Sequence, residues 1–99
     1  MSEYCKIPAS FSHALFDVCQ WYKKDGYPRG NSDIVFNDAM KLIEDSIFNP
    51  NRSDDDDIEI NKDWVCYLKW AIHLMIEHWE PEYTYDKNSI LELDEQIQK

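Results

Sequence analysis

Along this chain, apolar side chains return at intervals of three and four in four separate stretches, the repeat of one face of an α-helix. The first stretch carries Phe11, Ala14, Leu15, Val18, Cys19 and Tyr22. Pro8 suits an opening turn, where its missing N–H is no loss, and Ser10 offers a second cap. A helix is therefore predicted from about Pro8 to Asp25. Gly26 stops it, and Tyr27-Pro28-Arg29-Gly30-Asn31 reads as a turn built of helix breakers. Ser32 is a favourable N-cap, with Asp33 in the first turn, for a second helix. Its inward stripe is Val35, Ala39, Leu42, Ile43, Ser46 and Ile47, and Asn49-Pro50 ends it.

Residues 49–61 then form a polar loop that contains Asp54-Asp55-Asp56-Asp57. Ile58 and Ile60 alternate about Glu59 with the period of a strand, but a strand needs a partner and no other is evident, so a loop is expected. Asn61 caps a third helix that reaches about Trp79, before Glu80-Pro81. It is apolar nearly all round: Trp64, Val65, Leu68, Ala71, Ile72, Met75 and Trp79 on one side, Cys66, Tyr67, Trp70, Leu74 and Ile76 elsewhere. Such a helix lies in the middle of a fold or offers a second face to a partner. Asn88 or Ser89 starts a short fourth helix bearing Ile90, Leu91, Leu93 and Ile97. The expected fold is all-α, a small helical bundle of three main helices plus a short C-terminal one. It is read as one acidic domain over residues 1–99, with the acidic loop at about 49–61.

Charge adds more than size does. The 99 residues suit one domain, and 43% apolar with 14% aromatic residues is too rich for a disordered chain. Twenty acidic against ten basic side chains give a net charge of −10, which repels nucleic acid and anionic membranes and attracts basic proteins. The excess is uneven. Residues 1–32 carry four basic and three acidic side chains, whereas residues 33–99 carry six and seventeen. Lys23, Lys24 and Tyr27 to Arg29 form one small basic cluster, too small for a nucleic-acid site, so no direct nucleic-acid binding is expected. Trp64 to Ile76, the most apolar run, is interrupted by Lys69 and His73 and falls short of the roughly 20 residues of a membrane span. With no targeting segment and three unpatterned cysteines (Cys5, Cys19 and Cys66), the expected setting is a reducing cytoplasm, without a membrane partner.

The candidate chemistry is thin. Cys66, His73 and Glu77 share one helical stripe and are zinc-ligand types, but they make at most three ligands, and H-E-x-x-H is absent. The aspartate run fails as a calcium loop, because an EF-hand begun at Asn49 places Asp54 where glycine belongs and Ile60 where the bidentate glutamate belongs. A Cys–His nucleophile needs Cys19 or Cys66 to meet His13 or His73, yet both cysteines lie among apolar neighbours, where thiols are usually inert packing. Two glycines leave little for an oxyanion hole or a phosphate cradle. The reading is a protein that is not an enzyme and uses no metal or cofactor.

A docking surface is the stronger reading. Asp54, Asp55, Asp56, Asp57 and Glu59 form one acidic group, and Glu80, Glu82 and Asp86 form another, joined by Asp63, Glu92, Asp94 and Glu95. Carboxylates spread this way can replace nucleic-acid phosphates in a cationic groove, and their mutual repulsion costs stability that binding offsets. Charge alone discriminates poorly. Trp79, Tyr83 and Tyr85 stand among the second group as candidate anchors, of the residue types common in interface hot spots.

In size, acidity and helical content the chain resembles phage anti-defence proteins, meaning DNA-mimicking restriction inhibitors and anti-CRISPR proteins, and also immunity proteins that neutralise nuclease toxins. The resemblance lies in the composition of the whole chain and transfers no residue. Glu82-Tyr83-Thr84-Tyr85-Asp86 echoes only loosely the tyrosine-rich motif of the colicin immunity proteins. The expected function is that of an inhibitor which blocks a basic nucleic-acid-handling protein, such as a nuclease, with an acidic, DNA-mimicking surface. The alternatives are a toxin-immunity protein and a homodimeric assembly or adaptor protein that uses the helix over residues 62–79.

Overall fold

The computed structural model describes residues 3–25 and 34–97, with only the backbone of Asp25. The expected stop at Gly26, the turn through Asn31 and the Ser32 cap lie outside these residues. Among them the chain is mostly helical, with four helices and one small sheet. In order, these are β1 (Tyr4–Ile7), a 3-10 turn (Ala9–Phe11), α1 (Ser12–Asp25), α2 (Ile34–Ile47), β2 (Ile58–Asn61), α3 (Lys62–Glu77) and α4 (Lys87–Ile97).

The sheet corrects the all-α expectation. The alternation at Ile58-Glu59-Ile60 is a strand after all, because Tyr4-Cys5-Lys6-Ile7 supplies its antiparallel partner. Cys5 faces Ile60 and Ile7 faces Ile58, while Lys6 lies opposite Glu59 on the outer side. Ile7, Ile58 and Ile60 are buried to 1% exposure or less. The pairing of their apolar sides is what a four-residue alternation has to offer, and it closes the N-terminus onto the acidic loop's exit. A bond from Lys62 N to Glu3 O at 2.9 Å continues the pairing.

Pro8 ends β1 and opens the 3-10 turn, with Phe11 N donating to Pro8 O at 2.9 Å, so the first α-helix begins at Ser12 rather than at Pro8. Ala14, Leu15, Val18, Cys19 and Tyr22 are buried as their spacing requires, and Trp21 joins them. In α2 the stripe is rotated from the expected one. Ala39, Ile43 and Ile47 are buried, but so are Phe36 and Met40, whereas Val35 and Leu42 stay 51% and 44% exposed. The reason is the ring of Phe36, which stacks on Tyr22 with centroids 4.8 Å apart and meets Tyr67 edge-on at 5.6 Å. Burying Phe36 and Met40 removes more apolar area from water than burying Val35 and Leu42 does.

Asn61 caps α3 as its side chain suggests, accepting from Asp63 N at 2.9 Å. Leu68, Ala71, Ile72 and Met75 are fully buried, while Trp64, Val65, Tyr67, Leu74 and Ile76 pack partly buried around them. The all-round apolar character is explained by position: α3 touches both strands and all three other helices. It ends at Glu77, so Trp79 stands beyond it. Helix α4 is capped by Asp86 rather than by Asn88 or Ser89: Asp86 Oδ1 accepts from Ser89 N at 3.3 Å, and Ser89 Oγ donates to Asp86 Oδ2 at 2.9 Å. Ile90, Leu93 and Ile97 complete the core, and Leu91 points outward. No helix of the described residues is long and apolar enough to cross a membrane.

Candidate functional site

The link between α2 and β2 is a built loop, and Arg52 holds it. Its Nη1 donates to Ser53 O at 3.1 Å and Asp56 O at 2.8 Å, and its Nη2 donates to Ile47 O at 2.9 Å. Ile47 is the last residue of α2, so the guanidinium satisfies a carbonyl left over at a helix C-terminus, where a cation is also favourable. Two turns complete the loop. Asn49 Oδ1 accepts from Asn51 N at 2.9 Å, and Asp56 both donates from its N–H to Ser53 O at 3.1 Å and accepts from Ser53 N on Oδ2 at 3.1 Å.

This arrangement leaves the carboxylates outward. Asp54, Asp55, Asp56, Asp57 and Glu59 are all exposed. The hydrogen bonds of Arg52 go to backbone carbonyls, and among the described residues none of these five acids forms an ion pair. The ion pairs lie elsewhere: Lys23 with Glu44 at 2.6 Å, His13 with Asp17 at 3.6 Å and His73 with Asp94 at 3.3 Å. Two hollows flank the loop. One, of about 670 Å³, lies on the outer side of the sheet, between Tyr4, Lys6, Asp56, Asp57 and Glu59. The other, of about 420 Å³, lies against α1 between His13, Phe16, Phe48 and Asp54.

The second predicted group is arranged differently. The rings of Trp79, Tyr83 and Tyr85 pack edge-on against one another, with centroids 5.2 to 6.4 Å apart, and rest partly buried on the core. Trp21 Nε1 donates to Tyr83 Oη at 2.8 Å, which ties this connection to α1, and Lys87 Nζ lies 5.6 Å from the Trp79 centroid. Glu80 and Glu82 are exposed beside them, while Asp86 is engaged in capping α4. Those hydrogen bonds from Ser89 hold the Asp86 carboxyl below its ordinary pKa.

Asp17, four residues along α1 from His13, is a buried carboxyl. Burial raises its pKa, the neighbouring His13 opposes this, and the negative charge of Asp86 adds to it. The cysteines behave as their surroundings dictate. Burial pushes the Cys19 thiol up to about 12, Glu44 adds to this and Lys23 opposes it, so no thiolate forms there near neutral pH. Cys66 is exposed, and His73 on the same helix turns to Asp94 of α4. Among the described residues no three His, Cys, Asp or Glu side chains gather as metal ligands would. Of the expected basic cluster, Lys23 is held by Glu44 and Lys24 is exposed, while Tyr27 to Arg29 lie outside the described residues.

Reading the sequence missed the aromatics that flank the acidic loop: Tyr4, Phe16 and Phe48. Phe48 is 62% exposed, and its ring meets Phe16 edge-on at 5.5 Å. One signal was present, a large aromatic wedged between the last buried residue of α2 and the Asn49-Pro50 stop. No protein-family model, curated protein or solved structure matches this chain.

Proposed function

We propose that this protein is a non-enzymatic inhibitor that docks its acidic loop on a basic, nucleic-acid-handling protein and occludes the partner's nucleic-acid groove. The site is Asp54, Asp55, Asp56, Asp57 and Glu59, with Glu80, Glu82 and Asp86 extending the negative field and Trp79, Tyr83 and Tyr85 supporting that second segment. The observation that carries the reading is a braced loop whose five carboxylates are exposed and, among the described residues, form no ion pair. A preorganised array of this kind loses little freedom when a cationic groove closes on it. It also speeds encounter by about 10 to 1,000-fold at low salt. A phage anti-defence protein acting in the host cytoplasm fits this mechanism best, and a toxin-immunity protein uses the same physics.

The test is a pull-down from nuclease-treated host lysate with the full chain and with a variant carrying Asn at positions 54 to 57. The expected result is one stoichiometric nuclease or DNA-binding complex, lost in the variant and at high salt, whose nucleic-acid binding the wild-type protein blocks. Retention of that complex by the variant sinks the mechanism.

A second reading is self-assembly through α3, favoured by Trp70, which is 53% exposed although it meets Phe36 edge-on at 5.2 Å. A concentration-dependent mass in sedimentation, abolished by Trp70→Glu without unfolding, supports it. A constant monomer mass removes it.

A further inference from the structure

The two hollows beside the acidic loop differ in character. The one against β1 is rimmed by polar and charged groups, whereas the one against α1 has an apolar wall made by Phe16, Ile47 and Phe48, with Asp54 at its lip. Phe48 is the most exposed aromatic ring of the described residues, and it sits one residue beyond the buried end of α2, where a polar residue would serve the helix as well. Its ring is held edge-on by Phe16, and its neighbour Ile47 is fixed both in the core and by Arg52 on its carbonyl. The apolar wall is therefore anchored at three points and still open to solvent.

We propose that this hollow receives an apolar side chain, aromatic or large aliphatic, from a basic segment of a partner protein. The neighbouring lysines or arginines of that segment lie along Asp54 to Asp57. Charge complementarity selects the occupant. Of the charged groups that line the hollow, Arg52 is held on backbone carbonyls, His13 pairs with Asp17, and Asp54 forms no ion pair among the described residues. The loop that continues from it adds Asp55 to Asp57, so an apolar residue flanked by acids is repelled on approach, whereas one flanked by cations is drawn in. Size fits as well, because about 420 Å³ lies near the lower end of the roughly 300–1,000 Å³ of small-ligand sites. It has room for one large side chain. In this arrangement the anchor gives the discrimination that the charges alone lack. The inference rests on the reading of the acidic loop as a docking element and adds to it the residue pattern that the partner must present.

The test is selection from a display library of random dodecapeptides on three full-length proteins: wild type, Phe48→Ser, and the variant with Asn at positions 54 to 57. Phe48 is exposed, so its replacement leaves the fold standing, as thermal melting of each variant checks; Asp54→Lys gives a second variant at the same hollow. The expected outcome is enrichment on wild type of peptides with one apolar residue within a few positions of Lys or Arg. Their affinity falls at least about tenfold in Phe48→Ser, the scale on which hot-spot truncations act, and again in the asparagine variant and Asp54→Lys. Peptides rich in Lys and Arg alone, bound equally by Phe48→Ser and lost only with the acids, overturn the apolar anchor and leave the acidic docking reading intact. Apolar peptides bound equally by the asparagine variant overturn both. So does the absence of any enriched sequence.

Discussion

Replacing Arg52 with Met tests whether the acidic loop is braced or merely connected. The side chain keeps its apolar stem but loses three hydrogen bonds, at 2.8 to 3.1 Å, to the carbonyls of Ile47, Ser53 and Asp56. Charged hydrogen bonds are each worth about 1.5–3 kcal/mol when buried. Two of these have their acceptor carbonyls in an exposed loop, where water replaces the lost donor, so they are discounted to about 0.5 kcal/mol each. The bond to Ile47 O is partly buried and lies at the end of α2, which makes it worth about 1–1.5 kcal/mol with the helix-dipole contribution. Against this, Arg52 Nε is buried without a partner, and its removal returns about 1 kcal/mol. The balance is a loss of about 1–1.5 kcal/mol. In a chain of this size that lowers Tm by roughly 4–12 °C. Urea and thermal unfolding, followed by tryptophan fluorescence, measure it. Amide exchange at Ser53 and Asp56 accelerates as the loop's turns loosen. Arg52→Lys keeps the charge but offers a point donor that cannot span three carbonyls, so it recovers less than half of the loss. An unchanged midpoint in the Met variant, or full recovery by Lys, refutes the brace.

Four further outcomes follow from individual side chains. The folded pKa of Asp17 is raised, so its contribution to stability is present below the unfolded value of 3.8 and is lost as pH rises through the folded one; Asp17→Asn is therefore more stable than wild type at pH 7, and the gain vanishes by about pH 3.8, as urea melts across pH read directly. Asp86 has the opposite sign, contributing above its unfolded value and losing that contribution as pH falls through its lowered one, so the acid side of the same profile steepens in wild type and flattens in Asp86→Ala. Tyr83→Phe leaves the buried Trp21 indole N–H without its acceptor and costs about 1–3 kcal/mol in the same assay. In native protein at pH 7.5 a disulfide reagent modifies Cys66 at once and Cys19 only on unfolding, and equal rates contradict the burial of Cys19.

The parts of the fold that were legible in the sequence are those where one local rule acts alone. The face of α1 follows from its spacing, and Asn61 caps α3 because nothing nearby competes for Asp63 N. The misreadings have a common cause, a partner distant in sequence. The strand at Ile58 pairs with residues more than fifty positions earlier, and no window around either strand contains the other. The face of α2 is decided by Tyr22 and Tyr67, which receive Phe36 from two other helices. Of the candidate surface, the aspartates were legible because four in succession have nowhere to be buried. The environment of Trp79, Tyr83 and Tyr85 was not, since it depends on a hydrogen bond from Trp21. The exposure of Phe48 was also hidden, because an aromatic next to a core isoleucine reads equally as core.

The position of the acidic run strengthens the case for a docking role. It follows the C-terminus of α2, where the helix dipole already presents partial negative charge, so the run occupies the electrostatically poorer end of that helix. Only Arg52 stands between them, and it is the sole basic residue from Leu42 to Asn61. A run that only kept the protein soluble could lie at less cost at a helix N-terminus, or on the exposed face of α4. Here it is held by a guanidinium whose bonds go to the backbone, which fixes the loop's shape while leaving the carboxylates without ion pairs among the described residues. Neutralising the aspartates one at a time therefore raises stability by small steps and lowers partner affinity by larger ones. Opposite signs in the two assays are the mark of a surface kept for binding rather than for folding.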